Sequence, residues 1–430
     1  MASCLSPVLT TCKCTLPLET PCAISGTLAL DDLQESIHNP LNNYRLIACG
    51  PHGFPGASQI MCNNLWLFST LGAEVTYVGN HIPFTFEHFG TRGVKVHLTQ
   101  MVQSAAIGSG AAIASQDVLS VPSMAECLAN EVLEHSSSPR KTIIWGHYLI
   151  PYGLAVISAL NLLAPTSVET EVWLTPTGSD IWEIGPQLAQ TTQMLLSHSK
   201  VSRIITYTKQ FAEEIVALFP RTPQIQCILP ALDIRRFAPP AGRDSAALRV
   251  AFGISDKSFV ITSHSNMRPV KCPENVIAIA HEVAEVSDRP VVLMLIGPRI
   301  VTCKTHSRNL TIVQTGVVQD VIPYLHLSDA ELNCSKHDSF NLSLAESLAC
   351  GVPCVSTNVV GIAQEIRACE GGYLFNSEET PNRDHSAVRF LLELARSDAA
   401  GRAMGLRGSA HIREVLSPSA VSKQFLPLLV

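Results

Sequence analysis

The stretch AELNCSKHDSFNLSLAESLACGVPCVST, residues 330–357, decides the fold. Ala330 to Asn333 is an apolar run of strand length, Ser343 to Cys350 reads as a helix, and Gly351-Val352-Pro353 ends it before a second strand-like run, Cys354 to Thr357. Strand, helix and strand in such close succession form the βαβ unit of a parallel sheet. The same alternation extends on both sides. Upstream it runs through Phe259 to Ser263, a helix from Glu274 to Val286, Val291 to Ile296, Leu310 to Gln314 and a helix from Val318 to Leu325. Further upstream, strands are expected at Tyr44 to Cys49, Glu74 to Val78, Val94 to Leu98, Thr142 to Trp145, Glu171 to Leu174, Arg203 to Thr206 and Gln226 to Leu229. Helices fit between them at Ile60 to Leu71, Met124 to Glu134 and Gln210 to Leu218. Pro239 to Gly242 breaks the periodicity as a hinge would. The fold class is therefore α/β, with two doubly wound units and a last helix, Ala420 to Leu429, apolar on one face. Two such units facing each other leave a cleft at the carboxyl ends of their strands, where open α/β sheets bind ligands.

Composition narrows the function classes. The chain has 430 residues, 46% of them hydrophobic and only 15% charged, with a mean hydropathy of +0.22. These values exclude disorder and a disulfide-stapled miniature fold. The longest apolar run, Gly153 to Ala164, is interrupted by Ser158 and Asn161 and falls short of the roughly 18 residues of a bilayer span, so no integral membrane association is expected. A net charge of −6 supplies no basic field for nucleic acid or anionic lipid. Of the 14 cysteines, Cys49, Cys227, Cys350 and Cys354 read as buried free thiols. Cys12 and Cys14, with Cys4 and Cys22 around them, lack the paired spacing of a zinc site, and no metal is assigned. Residues 1–43 lack the charged start of a signal peptide and the arginines of a transit peptide, and read as a loosely ordered extension of a cytoplasmic protein.

Several strand ends carry polar groups suited to an anionic, hydroxyl-rich ligand. Asp338 and Glu346 flank the start of the helix in the opening stretch, and both can point into one cleft. Carboxylates accept hydrogen bonds from hydroxyls, as a ribose or sugar requires, and the free N–H groups near Phe340 to Ser343 suit a phosphate. The plainer alternative is a helix-capping Asp338 with a solvated Glu346. After Phe259 to Ser263 come Arg268 and Lys271, an anion-binding pair or a solvated loop. In the first half, Gly53 to Ser58, His147-Tyr148 and Thr177-Gly178-Ser179-Asp180 follow strands. Each alone is an ordinary loop cap; together they border one cleft edge.

Asp338 to Pro353 resembles, almost position for position, the E-x7-E segment of the retaining glycosyltransferases that have two Rossmann-like domains, the GT-B architecture. Ser265 to Lys271, Gly146 to Pro151, Gly178 to Ile181 and Ile82-Pro83-Phe84 resemble most closely its bacillithiol-pathway branch, which joins N-acetylglucosamine from its UDP conjugate to L-malate. Related small-thiol glycosyltransferases are similar. The resemblance implies an acceptor-binding domain over 44–238 plus 416–430, a nucleotide-sugar domain over 239–415, and a final helix crossing back to the first domain. It implies catalytic roles for Arg268, Lys271 and Asp338, and donor binding by Phe340, Asn341, Leu342, Glu346 and Gly297. Gly56, His147, Tyr148, Thr177, Asp180 and Thr208 would border the acceptor. No cofactor or metal is implied beyond the nucleoside-diphosphate sugar, UDP favoured, with a small polar acceptor such as a hydroxy acid; a homodimer is left open. The chain departs from the family pattern at Asp338 for Glu, Asn341 for Gly, Pro55 and Ser58 for glycines, and Thr177 for His. These departures keep two alternatives open: a natural-product enzyme with an unusual sugar and an amino-acid-like or thiol acceptor, and a non-catalytic nucleotide-sugar binder.

Overall fold

The computed structural model describes residues 40–51, 57–99, 120–240, 246–298, 301 and 307–429. Cys4, Cys12, Cys14 and Cys22 lie outside them, as does most of the N-terminal extension. That extension ends earlier than the sequence suggests, because Leu41 is buried in the core of the first sheet.

Seven parallel strands form the first sheet: β1 (Tyr44–Cys49), β2 (Glu74–Gly79), β3 (Lys95–Leu98), β4 (Lys141–His147), β5 (Thr170–Thr175), β6 (Arg203–Thr206) and β7 (Ile225–Cys227), in the order β3-β2-β1-β4-β5-β6-β7. Six more form the second: β8 (Phe259–His264), β9 (Val291–Ile296), β10 (Leu310–Gly316), β11 (Ala330–Asn333), β12 (Cys354–Thr357) and β13 (Gly372–Phe375), in the order β10-β9-β8-β11-β12-β13. Helices cover both faces of such sheets, so central strands bury every residue: β1, β8 and β9 have no exposed position. The strand order reverses between β1 and β4 and between β8 and β11, the two switch points where open sheets leave a crevice.

The sequence reading named no helix at Pro186–Leu196, Ala363–Cys369, Ser386–Arg396 or Asp398–Val415. The helix expected from Val318 spans only Ile322–His326, because Pro323 occupies its first turn. β13 opens on a glycine and is only four residues long, which hid it. The apolar run after Gly153 is the helix Leu154–Leu163, packed in the core of the first unit. Among the described residues no helix is long and apolar enough to cross a membrane. Cys49, Cys350 and Cys354 are buried free thiols, whereas Cys227 is exposed because β7 is the edge strand of its sheet.

The final helix, Pro418–Phe425, gives way to a tight turn at Leu426–Leu428 and returns the chain to the first sheet. Phe425 stacks on Trp173 with ring centroids 6.4 Å apart and meets Phe68 edge-on at 5.1 Å. The Tyr44 hydroxyl donates to the Leu429 carbonyl, and Arg203 Nη2 donates to Leu428 O at 2.9 Å. Both bonds tie the chain end to strands of the first unit. Phe425→Ala removes a ring that is 1% exposed, and is expected to lower unfolding free energy by about 3–5 kcal/mol. Urea denaturation checks this; an unchanged midpoint contradicts the packing.

Candidate functional site

A cavity of about 370 Å³ lies between the two sheets, walled by the carboxyl ends of their strands. The second unit supplies most of its charge. The helix Leu342–Ala349 aims its N-terminus at the cavity, and its cap is Asn341, not Asp338. Asn341 takes the left-handed conformation (φ 76°), and its Oδ1 accepts from Leu344 N at 3.3 Å. Asparagine is among the few non-glycine residues that tolerate this region, so the turn survives the loss of a glycine. Its Nδ2 is buried and has no hydrogen-bond partner among the described residues. Phe340 is buried in the core below, leaving its backbone at the cavity wall.

Asp338 Oδ2 accepts from Lys271 Nζ, so the shorter carboxylate is engaged by a cation across the loop. Arg268 Nη1 meets Glu183 Oε2 at 3.3 Å, an ion pair that bridges the two units. Two neutral bonds cross at the same edge: Ser339 Oγ donates to Thr177 O at 2.5 Å, and Thr208 Oγ1 donates to Ser339 O at 3.3 Å. Gly297 lies where a Cβ would come within 1.8 Å of Ser265 O, so only glycine lets these two loops approach.

Glu346 is not a solvated helix residue. Its Oε2 is 3.2 Å from His264 Nε2, at the end of β8, and His264 Nδ1 is 3.0 Å from Glu331 Oε1 in the adjacent β11. Glu331 Oε1 also accepts the His264 backbone N–H at 2.9 Å. Burial opposes a charge on His264, but the two carboxylates prevail and its pKa is pushed up to about 10.

The expected residues divide into two groups. Arg268, Lys271, Gly297, Asp338, Phe340, Asn341, Leu342 and Glu346 line the cavity, together with Tyr148 and Thr177 from the first unit. Three others do not. His147 is fully buried at the end of β4, its ring packed on Trp145 at 4.3 Å, and burial pushes its pKa down to about 3. Asp180 is also fully buried and holds a turn, accepting from Leu149, Thr177 and Gly178 N–H groups at 2.8, 2.9 and 2.8 Å. Thr208 caps the helix Lys209–Leu218 by accepting from Phe211 N at 3.3 Å, beside the contact between the units. Gly56 lies outside the described residues. No group of three or more His, Cys, Asp or Glu is placed to hold a metal among the described residues.

Residues 258–393 match the family model for glycosyl transferases group 1. This segment is a group 1 glycosyltransferase domain. Over 362 residues, 83% of this chain and 90% of the relative, it is 26% identical to N-acetyl-alpha-D-glucosaminyl L-malate synthase of Bacillus anthracis. Its fold matches sucrose-phosphate synthase from Thermosynechococcus elongatus with a TM-score of 0.67 at 15% identity, covering 90% of this chain and 98% of that one. HepE from Anabaena, solved with UDP and glucose, matches with a TM-score of 0.67 at 12% identity, covering 90% and 99%. The two-sheet arrangement is the GT-B fold.

Within the glycosyltransferase domain, sequence reasoning overlooked His264 and Glu331, and in the first unit Glu183. One signal was present: Glu331 is the only charged residue in the strand Ala330–Asn333, and a carboxylate in a buried strand requires a partner. The cap at the domain's central helix is testable. Asn341→Gly is expected to change stability by only a few tenths of a kcal/mol, while Asn341→Ala, which loses the cap and is strained at positive φ, costs about 1–3 kcal/mol. Equal losses in thermal or urea unfolding contradict the assignment.

Proposed function

We propose that this glycosyltransferase moves a sugar from a nucleoside-diphosphate donor, UDP favoured, to a small polar acceptor, with retention at the anomeric carbon and without a metal. The observation that carries the reading is the convergence of Arg268, Lys271, the helix start at Asn341 and Glu346 on one cavity wall. Cations and helix N–H groups suit a diphosphate; a carboxylate suits a ribose. HepE, solved with UDP and glucose, supports a UDP donor in this fold.

In this reading, negative charge develops on the departing diphosphate as the bond to the sugar breaks. Arg268 and Lys271 turn from Glu183 and Asp338 to the phosphates and stabilise that charge, with the helix N-terminus adding its dipole. The departing phosphate takes the acceptor proton on the same face of the sugar, so no protein nucleophile is needed. Asp338 holds donor-sugar hydroxyls. Tyr148 and Thr177 form the acceptor side, where Tyr148 OH shares a 2.8 Å hydrogen bond with Ser179 Oγ. A hydroxy acid fits this description, as does an amino-acid-like or thiol acceptor with an unusual sugar. Thr177 favours the second choice, since its carbonyl is tied to Ser339 where the family resemblance sets a histidine beside the sugar. Asn341 argues against a binder that has lost its chemistry, because it rebuilds the turn that glycine provides.

Glu346→Ala is expected to weaken nucleotide binding by about 1.5–3 kcal/mol, or roughly tenfold to a hundredfold, the usual size for hydrogen bonds to a charged group. Calorimetric titration checks it; equal affinities remove Glu346 from the site. Arg268→Ala is expected to lower kcat more than Glu346→Ala does, because its charge interaction grows in the transition state. A change confined to KM overturns that role. NMR of the product's anomeric proton and turnover in a chelator test retention and metal independence.

A further inference from the structure

We propose that His264, fixed in place by Glu331, is a positioning residue that presents Glu346 to the donor ribose through a single carboxylate oxygen. The inference rests on the donor reading above, which assigns the ribose to Glu346.

The geometry dictates the state of the ring. His264 Nδ1 faces Glu331 Oε1 at 3.0 Å and Nε2 faces Glu346 Oε2 at 3.2 Å. Burial raises the Glu331 pKa and the neighbouring His264 opposes that rise; with both carboxylates ionised each only accepts, so both ring nitrogens donate and the ring is an imidazolium, the form its raised pKa favours. Glu331 Oε1 takes the His264 backbone N–H as well, which locks the ring against rotation at the end of β8. Glu331 itself is 1% exposed and lies behind His264, outside the residues that line the cavity. A packing role alone would be met by apolar residues at both positions, since a buried ion pair is no better for stability than hydrophobic side chains of similar volume. Here the pair instead faces a third group. With Oε2 held by His264, Glu346 can turn only Oε1 to a ribose hydroxyl.

The imidazolium also corrects the charge of the wall. Glu183, Asp338 and Glu346 all line the cavity, and a diphosphate brings more negative charge to it. Arg268 and Lys271 offset the first two. His264 is shared between Glu331 and Glu346, so it offsets part of the Glu346 charge and lessens the repulsion that the carboxylate exerts on the phosphates. Arg236, which also lines the cavity, is paired with Asp320 at 2.9 Å.

The test compares uridine diphosphate with its 2′,3′-dideoxy analogue by calorimetry, or the guanosine pair if that base binds tighter. In wild type the diol is expected to improve affinity about tenfold or more, the size for hydrogen bonds to a charged acceptor. His264→Ala is expected to weaken the diol probe more than the dideoxy probe, which shrinks that preference below about threefold, while the lost positive charge lowers the affinity of both. His264→Gln, which can still donate to Glu346, should restore part of it. Glu331→Gln keeps the shape and one acceptor but removes a charge, so the histidine titrates lower. Between about pH 7 and 9, above the second ionisation of the terminal phosphate, affinity of that variant should fall more steeply than that of wild type. Equal weakening of both probes in His264→Ala marks a merely structural residue and overturns the proposal, as does a profile in Glu331→Gln no steeper than that of wild type. Wild type that binds no nucleoside diphosphate overturns the donor reading itself, and wild type indifferent to the diol removes Glu346 from the ribose.

Discussion

Each positive group at the cleft is held by a carboxylate. Arg268 faces Glu183, Lys271 faces Asp338, and His264 sits between Glu331 and Glu346. In a chain with only 30 Lys and Arg and a net charge of −6, these few charges decide where an anion can bind. Positive charge is costly to keep near a low-dielectric wall without a partner, so the fold stores it in pairs. A diphosphate competes for these cations with single carboxylates, and it carries more charge than either. The two sheets exist, in this sense, to bring the strand ends that carry the pairs to one cavity. The Arg268 pair spans the two units, so the state of the cleft edge and the state of the anion site are linked through one side chain.

The departures from the family pattern become intelligible in the same terms. Asn341 replaces a glycine, adopts its left-handed backbone and adds a side-chain cap to the helix. Asp338 is one methylene shorter than glutamate, and in this structure its carboxylate is held by Lys271 from the opposite loop. Thr177 uses its backbone carbonyl, not its side chain, to receive Ser339 across the cleft. The first two preserve the donor wall; the third alters the side that faces the acceptor.

Much of this was legible in the sequence. Tyr44–Cys49, Arg203–Thr206, Val291–Ile296, Ala330–Asn333 and Cys354–Thr357 are strands with the very bounds read from their β-branched and apolar runs, because buried parallel strands are predominantly apolar. Arg268, Lys271, Asp338 and Glu346 could be singled out because each stands at a strand end or a helix start. What the sequence hid is pairing over distance. His264 and Glu331 are 67 residues apart, and His264 and Glu346 are 82 apart; only the adjacency of β8 and β11 makes them neighbours. His147 and Asp180 show the converse. Both are polar groups at strand ends, yet full burial turns one into a core ring and the other into a turn brace.

The central claim is that the second unit's strand ends bind a nucleoside diphosphate. A thermal-shift panel of UDP, GDP, ADP and inorganic pyrophosphate tests it most directly, since a ligand that binds only the folded chain stabilises it by RT ln(1 + [L]/Kd), about 2.7 kcal/mol at a hundred times Kd. The account predicts that one nucleoside diphosphate raises the melting temperature well above the others and above pyrophosphate. No shift with any of them would contradict it.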